Sequence, residues 1–113
     1  MSLHDDEVRL RHMVDAAKQA VAFAHGRSRA DLDKDLQLSL ALTRLVEIVG
    51  EAAKNVSAET AAAFPSVPWR AIAGTRDRLV HAYFDVDRNI LWTTVTQSLP
   101  PLLAQLKSIL AQG

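Results

Sequence analysis

The chain contains no cysteine, which removes disulfides, thiolate zinc sites and iron–sulfur clusters from its possible chemistry. Aromatic side chains are scarce: two Trp, one Tyr and three Phe in 113 residues. No apolar run reaches the roughly 18 residues of a membrane span, and the opening MSLHDDEV is too acidic and polar for a secretory signal. The expectation is a cytoplasmic protein with no membrane partner. No sign of charge dominates either. Thirteen basic and thirteen acidic side chains cancel, which argues against coating nucleic acid by bulk electrostatics, so any such contact must be local. Alternating strand patterns, internal repeats and low-complexity segments are missing as well.

What the chain does have is a 49% apolar composition enriched in Ala and Leu, which favour helix. Its length suits one domain over residues 1–113. Residues 5–25 place Leu10, Val14, Ala17, Val21 and Ala24 on one helical stripe, with Gly26 as its stop. A polar link, RSRADLDKD, leads to a second helix whose Leu38, Leu42, Leu45, Val49, Ala52 and Val56 form a heptad seam. Ser57 reads as an end, or as the cap of a short turn at SAETAAAF; Ser66 reads as the cap of a helix with Pro68 at its first position, weakened by Gly74. Asp85 or Asp87 can cap a last helical region striped by Leu91, Val95, Leu102, Leu106 and Ile109, which Pro100 and Pro101 should kink or restart. The predicted fold is all-α, an antiparallel bundle of four to five helices. Seams this regular in so small a chain suggest burial against a second copy, hence a homodimer.

The stretch TRDRLVHAYFDVD, residues 75–87, carries more polar chemistry than a packing helix needs. Read as a helix turning about 100° per residue, it puts Arg76 and Tyr83 together and sets Asp77 one turn from His81. A carboxylate there can fix the imidazole tautomer. Cleaving an RNA phosphodiester requires proton transfer from the 2'-hydroxyl, a proton for the leaving oxygen, and positive charge on the phosphoryl oxygens. A His and an Arg supply all three, the guanidinium fork matching phosphate. One helix splays Arg76 and His81 apart, so a compact site is easier to build where two copies meet. Spacing alone still favours the plainer reading: a solvated Arg, a surface Asp–His pair and a packed Tyr.

The runs EIVGEAAKNVS, PSVPWRAIAGTRDRLVHAYFDVD and LWTTVTQSLPPLLAQL, in this order, resemble the HepT-like branch of the HEPN family. The sharpest element is Arg, four residues, His, one residue, Tyr, falling on Arg76, His81 and Tyr83. The resemblance implies a dimerising helical bundle acting as a metal-independent endoribonuclease on an RNA substrate, the toxin half of a toxin–antitoxin pair. On this resemblance Arg76 and His81 would be catalytic; the orienting of His81 by Asp77 rests on the helical spacing. Tyr83 would contact RNA and accept AMP from a minimal nucleotidyltransferase antitoxin, adding negative charge where phosphate binds. Asp77 stands where Asn is frequent and Ala82 where Gly is frequent, and the added charge of Asp77 bears on RNA affinity. A competing reading is a non-catalytic subunit that presents nucleotide or substrate to a nucleotidyltransferase, and a third is a dimeric scaffold.

Other candidates fit structural roles better. Glu47 and Glu51 are one turn apart, opposite the seam and beside Arg44 and Lys54, and read as an ion-paired solvated face; no metal or cofactor is expected. Gly50 suits close helix packing. Trp69 and Trp92 could stack bases but read as core anchors. His4, His12 and His25 read as incidental. Arg70 and Arg78 flank the motif as further phosphate contacts.

Overall fold

A computed structural model describes residues 3–82 and 85–112. Three long helical runs make the body. α1 spans Leu3–Ala24; a short α2, Asp31–Lys34, precedes α3, Leu36–Lys54; and the tail runs through α7, Arg88–Thr93, a π-helical turn, Thr94–Ser98, and α8, Leu99–Gln112. Between α3 and the tail lie α4, Ala58–Ala63, α5, Trp69–Ala73, α6, Thr75–Leu79, and a small antiparallel hairpin of β1, Val80–Ala82, and β2, Asp85–Val86. The helical class is as expected, with more and shorter elements. No helix among the described residues is long and apolar enough to cross a membrane.

α1 packs on both α3 and α8. Its C-terminal end is joined to α3 by a short link while Asp6, near its start, bonds Ser57 just past the end of α3, so the two helices run antiparallel. Gly26 ends the first helical run with φ 75°, a left-handed conformation that suits glycine. The seam of α3 is buried as its spacing predicts, with Leu38, Leu42, Leu45, Val49 and Ala52 in the core and Val56 at its edge. On α1 the buried face is rotated from the predicted stripe. Met13, Ala16 and Ala20 join Leu10, Ala17 and Ala24 inside, while Val14 and Val21 are half-buried, because a helix wedged between two others buries a broader arc. Each fully buried large side chain, such as Met13, Leu42 or Leu106, contributes about 1.5–3 kcal/mol.

The polar link is not a plain connection. Asp35 caps α3 through Leu38 N–H, Arg27 pairs with Asp31 and Asp35, and Leu32 of α2 is buried. Ser57 caps α4 by accepting from Thr60 N–H. Ser66 does not cap α5. Pro68 occupies that place without a side-chain bond, and the Ser66 carbonyl instead accepts from Gln105 Nε2.

Pro100 and Pro101 do not restart the tail, which stays helical from Arg88 to Gln112; they act on it through an identifiable device. Lacking N–H groups they cannot bond back into the preceding turn, and the helix widens just before them: Leu99 N–H reaches the Thr94 carbonyl, five residues back. The continuing helix still buries Leu91, Val95, Leu99, Leu102 and Leu106.

Candidate ribonuclease site

The motif begins on α6, a helix too short to turn more than once. Thr75 and Leu79, one turn apart, are buried, so Arg76, Asp77 and Arg78 between them point outward. The expected helix through residue 83 is not formed. It stops at Leu79; Val80 takes extended angles, φ −107° and ψ 107°, and pairs with Val86, while Ala82 pairs with Asp85. β-branched Val80 and Val86 suit a strand, and Asp87 N–H closes the hairpin on the Leu79 carbonyl at 2.8 Å. His81 is the extra residue between the paired positions, the place where a bulge re-aims a side chain.

This corrects the geometry around the imidazole. With His81 on β1 rather than on the helix, Asp77 is no longer its neighbour by helical spacing, and the carboxylate found beside it is Asp87, with Oδ2 3.9 Å from His81 Nε2. Sequence reasoning assigned Asp87 only as a cap. It is that too, accepting from Ile90 N–H at the start of α7. The bond from Ile90 N–H, followed by Asn89 N–H and the nearby His81, outweighs partial burial and holds the Asp87 carboxyl below its usual range. The imidazole itself is 55% exposed, open to a substrate.

Arg76 is anchored elsewhere. Its Nε donates to Glu47 Oε2 on α3 at 2.9 Å, with the guanidinium side chain 60% exposed and Glu47 only 23%. Glu47 is therefore not part of a solvated ion-paired face with Arg44 and Lys54. The contact is possible because α5 lies close on α3: a Cβ on Gly50 would come within 3.1 Å of the Ile72 carbonyl oxygen, so glycine is what admits that approach. The close packing expected of Gly50 is present.

Arg78 turns away from Arg76 and donates to the Ala71 carbonyl and Thr75 Oγ1, at the edge of an apolar cavity of about 360 Å³ lined also by Val49, Ile72 and Leu99. Arg70 is exposed on α5. Trp69 is tied to the Phe64 carbonyl through its indole N–H, and both it and Trp92 pack on the core, as anchors do. Tyr83 lies outside the described residues. Among the described residues, no group of three or more His, Cys, Asp or Glu could hold a metal ion.

Residues 13–109 match the sequence model of the ribonuclease HepT-like family. The chain belongs to that family. It is 40% identical over 101 residues to "Putative RNase TTE0752" of Caldanaerobacter subterraneus subsp. tengcongensis, covering 89% of this chain and 90% of that one. It is 40% identical over 75 residues to "Probable ribonuclease HepT" of Thermococcus cleftensis, covering 66% and 68%. No solved structure matches it at a significant level. In this HepT-like chain, then, the Arg–His motif occupies the exposed end of α6 and the hairpin after it, with each residue beside its own carboxylate.

Proposed function

We propose that this HepT-like protein is a metal-independent endoribonuclease whose site is shared between two copies of the chain. The observation that carries the reading is an open imidazole at a bulge and an open guanidinium on the helix just before it, each beside a carboxylate. The imidazole takes the proton of a 2'-hydroxyl as its oxygen attacks phosphorus; the bond to the 5'-oxygen breaks, and that oxygen receives a proton. Arg76 neutralises the phosphoryl oxygens as charge builds on them. Asp87 takes the orienting role that helical spacing gave to Asp77, and Asp77 remains as a negative charge next to the phosphate position. Arg70 is the outlying phosphate contact; Arg78, whose guanidinium bonds Ala71 and Thr75 away from Arg76, is not given that role. The test is cleavage of single-stranded RNA by purified protein in EDTA, expected to leave a 2',3'-cyclic phosphate. Nucleotide binding with no turnover at any pH would leave the substrate-presenting subunit instead, and neither binding nor turnover would leave the scaffold.

The dimer is supported by exposed apolar side chains on the two helices that pack together: Val8 and Phe23 on α1, Leu36 and Leu40 on α3, with Leu36 66% and Leu40 59% accessible. A second copy covering them would also bring a second motif, so that the imidazole of one copy can meet the guanidinium of the other. Light scattering should give twice the 12.4 kDa chain mass; a monomer at assay concentration rules out the shared cleft.

The cellular role that goes with this reading is that of a cytoplasmic toxin neutralised by a minimal nucleotidyltransferase. Tyr83 is the acceptor: its phenolic oxygen attacks the α-phosphorus of ATP, pyrophosphate leaves, and the AMP added two residues beyond His81 in sequence repels substrate phosphate. Incubation with the cognate transferase and ATP should add one adenylyl mass to wild type and none to Tyr83→Phe. Equal labelling of both places the acceptor elsewhere.

A further inference from the structure

We propose that Glu47 is a positioning residue for Arg76, a role that rests on the nuclease reading above. It lies 29 positions upstream, on another helix, in a run whose neighbours Val46 and Val49 are core. Its carboxylate accepts from Nε alone, and Arg76 makes no other hydrogen bond among the described residues. A guanidinium is planar, so holding Nε–H restrains its orientation, while the side chain is 60% exposed and its terminal NH₂ groups, which make no hydrogen bond among the described residues, are left to serve as a fork. That fork is the part a phosphate needs.

The choice of bond matters. Had the carboxylate gripped the terminal nitrogens, it would have filled the donor edge that substrate must use. Bonding at Nε supports the side chain from behind. An unsupported arginine samples many rotamers, and a displacement of about 1 Å at a reacting group can cost roughly 100-fold in rate. Glu47 itself is carried by α3, on which α5 sits closely over Gly50. The same carboxylate adds negative charge near the phosphate position, so its removal should cost turnover without weakening substrate affinity. This split separates positioning from simple binding.

The experiment compares full-length Glu47→Ala, Glu47→Gln, Arg76→Ala and Glu47→Ala/Arg76→Ala in RNA cleavage, each checked for helical content. Glu47→Ala should lower kcat about 10- to 100-fold with KM unchanged or lower, since a misplaced clamp costs turnover. Glu47→Gln, which keeps an oxygen acceptor for Nε–H, should recover most of kcat. Glu47→Ala should add nothing to Arg76→Ala. Wild-type kcat in Glu47→Ala, or losses that multiply in the double variant, would overturn the proposal. A second measurement does not depend on turnover: the Arg76 Nε–H resonance should persist near neutral pH in wild type and vanish in Glu47→Ala. Its absence from wild type overturns the positioning role directly, whereas a persistent resonance in a protein that cuts no RNA overturns the nuclease reading.

Discussion

Replacing His81 with alanine is expected to lower kcat/KM for RNA cleavage by about 1,000-fold or more, since proton transfer by a placed side chain contributes roughly 10²- to 10⁴-fold. The imidazole is 55% exposed and sits at a bulge, so its loss opens no cavity and the variant should melt as wild type does. Arg76→Ala should cost about 100- to 1,000-fold, the scale of deleting one donor to a charge that develops in the transition state. Arg76→Lys should recover little. Lysine has no Nε–H for Glu47 to hold and no planar fork to offer a phosphate. In a shared cleft, mixing inactive His81→Ala with inactive Arg76→Ala chains should restore a fraction of the activity, because some mixed dimers carry one intact set. Cleavage in EDTA by folded His81→Ala at the wild-type rate would remove the imidazole from the reaction.

The largest effect on stability is expected at Asp6. This carboxylate is 3% exposed and accepts from Ser57 N–H, Ser57 Oγ and Thr60 Oγ1, tying the start of α1 to the start of α4. Asp6→Ala removes the acceptor of three hydrogen bonds at a buried position, at a cost of about 2–4 kcal/mol, and urea midpoints near neutral pH should show it. Burial alone would raise the Asp6 carboxyl. The bonds from Ser57 and Thr60, with the charge of Arg9, outweigh burial and hold it below the usual range. A carboxyl depressed by folding contributes stability that is complete above its unfolded value, about 3.9, and is lost as pH falls through the lower folded value. The gap between wild type and Asp6→Ala should therefore narrow in acid. A gap of equal size at pH values on both sides of that window would mean that the carboxylate charge is not what the site uses.

Much of the bundle was legible because long helices repeat their signal. The α3 seam offers six apolar positions in register, and the structure places five of them in the core. On α1 the stripe was found but its centre was misplaced, since Ala16 and Ala20 are weak hydrophobic signals that a close-packed helix nonetheless turns inward. The hairpin was not legible. β1 has three residues and β2 two, too few for a period of two to declare itself, and Leu79 followed by Val80 fits either a helix or a strand. That misreading moved the expected partner of His81 from Asp87 to Asp77. The Arg76 to Glu47 contact was beyond reach for a different reason: it joins two elements 29 residues apart, and spacing within one helix says nothing about it. The motif residues themselves were visible at once; their supports were not.

The widened turn at Thr94–Ser98 makes the residue count of the tail rigid. Deleting a single position there would swing everything downstream by about 100°, rolling Leu102 and Leu106 out from under α1. Length changes among natural variants of this chain should thus spare the C-terminal third.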